Sequence, residues 1–150
     1  MALWTAIGML RQQLGQLPQA MQAYQHALES DPNAAVAANN LAWMYCNSGE
    51  DMDKALELAR RAKALLPRVA TVADTLGWVY YKRQLYDLAV SSLQDAVRQE
   101  PNSAEYRVHL AASLLRTGKK DEARAQLMEA FGLNRSLRTR RDVEEILREL

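Results

Sequence analysis

The sequence predicts an all-α protein made of four antiparallel helix pairs and a C-terminal capping helix. The main reason is a set of residue types that recurs four times at a nearly fixed interval, most clearly over residues 76–101. A second reason is that alanines stand seven positions apart on the second helix of every pair, where closely approaching helices leave little side-chain volume. The third is one apolar stripe at helical spacing within residues 139–150.

The recurring residues are an apolar residue followed by glycine or alanine, then several small or apolar residues, and in three copies a closing proline. The third copy contains Leu76, Gly77, Tyr80, Ala89, Leu93, Ala96 and Pro101. The corresponding residues are Ile7, Gly8, Ala20, Tyr24, Ala27 and Pro32 in the first copy, Leu41, Ala42, Tyr45, Ala55, Ala59, Ala62 and Pro67 in the second, and Leu110, Ala111, Leu114, Ala123, Leu127 and Ala130 in the fourth. This series resembles the tetratricopeptide repeat, whose period is ~34 residues. The resemblance covers nearly the whole chain, includes similarity to bacterial members, and implies a right-handed α-solenoid.

The repeat helices are predicted from turn residues, prolines and apolar spacing. Gly15 ends the first helix, Pro18 opens the second, and Pro32 closes the first pair because it cannot donate a backbone hydrogen bond. The predicted helices span residues 2–14, 18–30, 35–47, 52–66, 71–83, 86–100, 104–117 and 120–132. We interpret residues 1–150 as a single array with repeats over 1–34, 35–69, 70–103 and 104–137, which can also be part of a longer protein.

Two predicted turns depart from the pattern. Gln84 stands where a turn glycine is expected, so the backbone there is either strained or adjusted. The spacing from Gly49 to Ala55 is one residue longer than in the other repeats. We expect the additional residue in the turn, because inside a helix it would rotate every later side chain by ~100° away from the core.

The end of the chain predicts a terminal cap. The apolar stripe consists of Val143, Ile146, Leu147 and Leu150 on an otherwise charged segment. Arg135 stands where the fourth repeat would have its closing proline. Because the last repeat of a solenoid exposes an apolar face, we expect a capping helix over residues 139–150 to cover it.

Composition excludes several classes of function. An apolar fraction of 49% with a formal net charge of +1 does not suggest a disordered tail or a nucleic-acid-binding protein. One cysteine, Cys46, rules out an internal disulfide framework. No apolar run reaches the roughly 18 to 20 residues of a membrane span, and the first residues lack a signal-peptide pattern. We therefore expect a soluble protein without membrane insertion, in the cytoplasm or the periplasm, with the compartment left open.

The resemblance also implies a binding site, because first helices of successive repeats in this family line a concave groove that holds peptides. The groove residues that it implies here are Asn39, Asn40, Trp43, Asp74, Thr75, Trp78, Tyr81, Lys82 and His109. Rigid aromatic side chains next to amides suit the binding of a peptide. We therefore predict a scaffold or adaptor whose partner is a protein or a peptide. A clamp for a C-terminal carboxylate is not expected, since only Asn40 matches one of its positions.

Catalytic chemistry is not indicated. His26 and His109 lie on different repeats without the spacing of a metal pair, and no signature of a cysteine nucleophile surrounds Cys46. We expect no enzyme activity, no metal and no cofactor. An arginine cluster within residues 135–141 can bind an anion but is more typical of a solvated linker, because acidic residues follow it.

The beginning of the chain suggests an alternative function. Leucines recur along the first helix and into the next turn, on a face that would ordinarily pack on a preceding repeat. The residues are Leu3, Leu10, Leu14 and Leu17. In this alternative the protein is a structural module that forms a homo-oligomer through its repeat ends or its outer face.

Overall fold

The computed structural model describes residues 2–150, in which every regular element is a helix. These residues form two compact units, unit 1 over residues 2–67 and unit 2 over residues 68–150. Unit 1 contains α1 (Ala2–Gln13), α2 (Leu17–Ser30), α3 (Ala35–Ser48) and α4 (Met52–Leu65). Unit 2 contains α5 (Ala70–Lys82), α6 (Tyr86–Gln99), α7 (Ala104–Arg116), α8 (Lys120–Leu133), a 3-10 helix (Arg135–Thr139) and α9 (Arg141–Glu149). The predicted all-α class is confirmed, and the helix bounds agree with the predicted spans to within about two residues.

The recurring small residues form the contact inside each helix pair. The alanines that recur seven positions apart on the second helices are each 0% exposed; they are Ala20, Ala27, Ala55, Ala62, Ala89, Ala96, Ala123 and Ala130. A Cβ atom added to Gly77 would lie 2.5 Å from Cγ of Leu93, and one added to Gly8 would lie 2.5 Å from Cε1 of Tyr24. Larger residues at these positions would therefore push the paired helices apart.

Three of the four turns inside the pairs use glycine in the left-handed region. The φ angles are 71° at Gly15, 72° at Gly49 and 79° at Gly118, and Gln84 takes the same conformation at 61°. Glu50 and Asp51 separate Gly49 from α4, so the additional residue of this repeat lies in the turn. Asp51 also caps α4, because its Oδ1 accepts a hydrogen bond from the backbone N–H of Lys54 at 2.9 Å.

Within each unit, neighbouring pairs pack through the second helix of one and the first helix of the next. In unit 1 these are α2 and α3, and in unit 2 they are α6 and α7. A cluster in unit 2 joins Ala70 and Ala73 of α5 to Ala96 of α6 and Tyr106 of α7. Burial raises the pKa of the Tyr106 phenol to about 12.

The C-terminal segment of unit 2 divides its packing between two helices. The 3-10 helix packs on α8, whereas α9 packs on α7. Val143 and Ile146 are 0% and 9% exposed, but Leu147 of the same stripe is 41% exposed. The predicted capping helix is therefore present, with part of its apolar stripe facing solvent. In residues 2–150, no helix combines the length and the apolar character that crossing a membrane requires.

Candidate functional site

Three side chains at the C-terminal end of α5 form an aromatic and basic patch. Trp78, Tyr81 and Lys82 share one side of the helix because they are three and four positions apart. The rings of Trp78 and Tyr81 stack, with centroids 4.7 Å apart and planes 4° from parallel. The Lys82 Nζ lies 5.5 Å from the centroid of the Trp78 indole, within the range of a cation–π interaction. Lys82 is exposed and both rings are partly exposed, so solvent reaches the patch.

Arg116, at the end of α7, adds a second cation to the patch. A hydrogen bond with Tyr81 raises the pKa of Arg116. The guanidinium also donates to both carboxylate oxygens of Glu149, at 3.0 and 3.3 Å. We call Trp78, Tyr81, Lys82 and Arg116 the aromatic–basic surface.

A buried pair of charged groups supports this surface. His109 of α7 stacks on Trp78, with ring centroids 4.3 Å apart. The Nδ1 of His109 lies 2.7 Å from Oδ1 of Asp74 on α5, and its Nε2 lies 3.4 Å from Oε1 of Glu105. Burial lowers the pKa of His109, but its hydrogen bonds with Asp74 and Glu105 outweigh this and raise the pKa to about 9. His109 is therefore a cation at neutral pH, and it fixes the position of the indole.

Glu105 extends this network to α9. Its hydrogen bond with His109, with a further contribution from Arg140, lowers the pKa of Glu105 to about 2 against the opposing effect of burial. Arg140, which directly precedes α9, donates to the two Glu105 oxygens at 2.6 and 3.2 Å. It also donates to the two Asp142 oxygens at 2.7 and 2.9 Å. The start of α9 is thus tied to α7 by ion pairs.

α9 lies over the aromatic–basic surface and leaves a cavity of about 220 Å³ between them. Its residues at the cavity are spaced i, i+3, i+4 and i+7, so they form one face of the helix; they are Asp142, Glu145, Ile146 and Glu149. This face is acidic except for Ile146. An acidic helix face therefore lies opposite a basic and aromatic surface.

Trp43 belongs to a separate cavity within unit 1. This cavity has a volume of about 510 Å³, and Trp43 lines it together with Leu17, Pro18, Met21 and Met44. Methionine side chains are flexible and adapt to differently shaped apolar groups. The cavity can accept an apolar side chain of moderate size.

The other predicted groove residues of unit 1 are taken up by internal contacts. Asn39 is 8% exposed and its amide donates to Oδ1 of Asn40 at 3.3 Å. Asn40 in turn donates to the Tyr24 hydroxyl at 3.1 Å. Within residues 2–150, Oδ1 of Asn39 is a buried atom without a hydrogen-bond partner.

The predicted groove residues of unit 2 separate into two layers. Trp78, Tyr81 and Lys82 lie together at the surface, whereas Asp74, Thr75 and His109 are buried. Asp74 is paired with His109, and the Thr75 hydroxyl donates to the backbone oxygen of Thr71 at 2.9 Å. Asp74, Thr75 and His109 therefore lie beneath the aromatic–basic surface and do not project from it.

Sequence reasoning missed the network around Glu105 and the position of α9. Glu105 and Arg140 are far apart in the sequence, and no spacing rule pairs them. The acidic spacing of Asp142, Glu145 and Glu149 is a readable signal, but the apolar stripe on the same segment favours an interpretation as a cap alone. Two further members of the arginine cluster also have neighbours. Arg138 lies 5.2 Å from the Phe131 ring centroid, and Arg141 pairs with Glu145 at 3.3 Å.

The four leucines of the alternative function are exposed on unit 1. Leu3 is 68% exposed, Leu10 57%, Leu14 61% and Leu17 51%. Leu3 and Leu10 are seven positions apart on α1 and so share one side of it, while Leu14 follows α1 and Leu17 begins α2. Isolated exposed leucines are common, but four within fifteen residues are a concentration of exposed apolar side chains. This concentration is the feature on which an assembly function would depend.

The residues considered for catalysis have ordinary surroundings. Cys46 is buried, and Nδ1 of His26 lies 2.9 Å from Oε2 of Glu29 at the surface. No group of three histidine, cysteine, aspartate or glutamate side chains within residues 2–150 is arranged to hold a metal ion.

Family models match most of the chain. Three of them, each described as tetratricopeptide repeat, match residues 75–132, 23–57 and 2–34. The chain is 30% identical over 94 residues to small glutamine-rich tetratricopeptide repeat-containing protein 2 of Mycosarcoma maydis. That match covers 63% of this chain and 26% of the fungal protein, so the chain spans about a quarter of that relative's length.

Solved structures share the fold. TTC0263, a thermophilic protein of this repeat type in Thermus thermophilus, superimposes with a TM-score of 0.80 at 23% identity over 97% of this chain and 80% of that one. MamA from Desulfovibrio magneticus RS-1 superimposes with a TM-score of 0.76 at 21% identity over 89% of this chain and 75% of that one. These likenesses confirm the predicted helical-repeat fold.

Proposed function

Because this chain belongs to the tetratricopeptide-repeat family, we propose that it is a non-catalytic scaffold that binds a segment of a protein partner. The observation that carries the proposal is the stacked, partly exposed pair of Trp78 and Tyr81 flanked by Lys82 and Arg116. Tryptophan, tyrosine and arginine are enriched among the residues that contribute most to binding at protein interfaces. The aromatic side chains bury large areas at small cost in conformational entropy.

The surface is preorganised for binding. Trp78 is held by stacking on His109, and His109 is held by its bond to Asp74. A ligand would therefore not have to order the indole, and this entropy cost is avoided. In unit 1, the cavity beside Trp43 offers a second place for an apolar side chain.

A comparison of tryptophan variants tests the proposal. The full chain, immobilised, captures a partner from native extract, and the affinity is then measured with the purified partner by calorimetry. We expect Trp78→Ala to weaken binding at least tenfold, since central aromatic residues commonly contribute ~2 kcal/mol or more. Trp4→Ala is the matched control, because Trp4 is 40% exposed on α1 and lies outside the proposed surface.

Folding is controlled separately from binding. Trp78→Ala removes a stacking contact, so Lys82→Glu serves as a second variant that changes only an exposed side chain. Both variants should keep the helicity of the parent chain by circular dichroism. Equal affinity in the parent, Trp78→Ala and Lys82→Glu proteins would refute the proposed binding surface.

A second candidate function is assembly into a homo-oligomer through Leu3, Leu10, Leu14 and Leu17. The exposure of all four leucines on unit 1 favours it. The test is light scattering over a range of protein concentrations, with Leu10→Glu as the disrupting variant. A chain that stays monomeric at high concentration with or without Leu10→Glu would rule this candidate out.

A further inference from the structure

We propose that the aromatic–basic surface is a docking site for an acidic amphipathic helix of a partner, and that α9 occupies this site as a stand-in for that helix. The inference rests on the proposed function and specifies its partner class. Its starting point is the face of α9 that lies over Trp78, Tyr81, Lys82 and Arg116.

The face of α9 shows which chemistry the site accepts. Three carboxylates, on Asp142, Glu145 and Glu149, follow one side of the helix with Ile146 among them. Glu149 makes a two-bond ion pair with Arg116, the geometry in which a guanidinium recognises a carboxylate. Asp142 and Glu145 pair instead with Arg140 and Arg141. The contact with Arg116 therefore indicates a helix that presents a carboxylate to this guanidinium beside an apolar residue, on a face where further carboxylates are accepted.

α9 fills the site incompletely. A cavity of about 220 Å³ remains under it, lined by the Trp78 and Tyr81 rings. Among residues 2–150, no carboxylate forms an ion pair with Lys82, which lies over the Trp78 indole. A partner helix with a larger apolar residue and a carboxylate near Lys82 would make contacts that α9 does not make.

α9 is a short helix with few buried residues. It has nine residues, fewer than the ~12 to 15 that an isolated helix needs for even marginal stability. Val143 and Ile146 are its buried residues. Its ion pair with Arg116 joins side chains that are 41% and 47% exposed, and such pairs add little stability. Lys120 and Arg124 of α8 also donate to the backbone oxygens of Glu149 and Leu150, at 2.6 and 3.0 Å. A partner helix therefore displaces α9 when its own contacts with the surface outweigh these bonds and the burial of Val143 and Ile146.

Peptide binding to the full chain tests this inference. The probe is a fluorescein-labelled synthetic peptide with the sequence of residues 139–150, and binding is followed by fluorescence anisotropy. The attached α9 competes with the peptide at an effective concentration in the millimolar range. We expect the peptide to bind Ile146→Asp protein, in which α9 is released, at least tenfold more tightly than the parent chain. Arg148→Ala is the matched control on the solvent side of α9, with a side chain 75% exposed, and should bind like the parent.

Charge reversal tests the acidic specificity. In the Ile146→Asp background, Arg116→Glu should weaken peptide binding at least tenfold, and a peptide carrying Glu149→Arg should restore it. Because Ile146→Asp can disturb folding, Glu149→Lys provides a second variant, in which repulsion from Arg116 replaces the ion pair and weakens the hold on α9 while only an exposed side chain is altered. It should bind the peptide more tightly than the parent chain does.

Several results would overturn the inference. One is a folded Ile146→Asp protein that binds the peptide no better than the parent chain. Another is equal binding of a scrambled peptide of the same composition, which would mean non-specific charge attraction. If a captured partner depends on Trp78 while the acidic peptide does not bind, the partner class is wrong and the proposed function stands.

Discussion

The buried charge of His109 should make the stability of unit 2 depend on pH. Asp74 on α5 and Glu105 on α7 face the imidazole, and Arg140 approaches the far side of Glu105. The folded-state pKa of His109 is about 9, above its ordinary value of 6.5. The stabilisation is therefore complete below pH 6.5 and is lost as the pH rises through about 9.

The size of this effect follows from the two pKa values. Raising the pKa of His109 from 6.5 to about 9, at about 1.4 kcal/mol per pH unit, corresponds to an upper limit of about 3 to 4 kcal/mol. Glu105 acts in the opposite range. Its pKa falls from 4.5 to about 2, so its contribution is present above pH 4.5 and is lost as the pH falls through about 2. Both contributions are complete between about pH 4.5 and 6.5.

Urea unfolding at pH 6 and pH 9.5 measures this dependence. A Trp4→Phe/Trp43→Phe background leaves Trp78 fluorescence as the probe of unit 2. The reference is a double variant, Asp74→Asn/His109→Gln, which removes both charges and keeps two groups that can hydrogen-bond. Between pH 6 and pH 9.5, we expect the free energy of unfolding of the parent protein to fall by up to about 3 kcal/mol more than that of the reference. The same pH dependence in both proteins would show that His109 is not a buried cation.

Three substitutions test the repeat geometry by the free energy of unfolding. Gly77→Ala should destabilise the chain by about 1 to 3 kcal/mol, since the added Cβ would lie 2.5 Å from Leu93, and a neutral result would contradict the close packing. Gln84→Gly should stabilise it by about 0.5 to 1 kcal/mol by relieving a φ of 61°, and destabilisation would show that the side chain of Gln84 matters more than its backbone. Asp51→Ala should lower the free energy of unfolding by about 1 kcal/mol, because α4 loses the cap that accepts from the backbone N–H of Lys54. Asp51→Asn should keep most of this stability, since asparagine is also a good capping residue.

The sequence predicted the features that repeat, together with the capping helix, and missed polar contacts between helices that occur once. Gly77 opposite Leu93 is a local size requirement that returns in each copy, so periodicity reveals it. Gln84 takes the left-handed conformation of the turn glycines, which is the strained alternative of the two that the sequence predicts. The glycines at the same position of the other copies show that this turn requires a positive φ.

The buried pair and the position of α9 were not predictable in the same way. Asp74 and His109 occupy positions where the other repeats have different residues, so no second copy indicated a contact. Their burial depends on side-chain placement across two helices, which apolar spacing does not specify. Likewise, the stripe of Val143 and Ile146 predicted a covering helix, but not that its acidic face would lie over Trp78.

The Asp74–His109 pair also has a consequence for how the repeats can be rearranged. Apolar contacts between helical repeats are largely interchangeable, so hairpins can in principle be duplicated, deleted or exchanged. At the positions of Asp74 and Thr75, α3 carries Asn39 and Asn40, so only α5 supplies a carboxylate for a following histidine. Placing any other hairpin after α6 would bury Asp74 without a cation, at a cost of about 3 to 5 kcal/mol. The Asp74–His109 pair therefore requires that the hairpin starting with α7 follow α6. Exchange of repeats is restricted at this junction by charge.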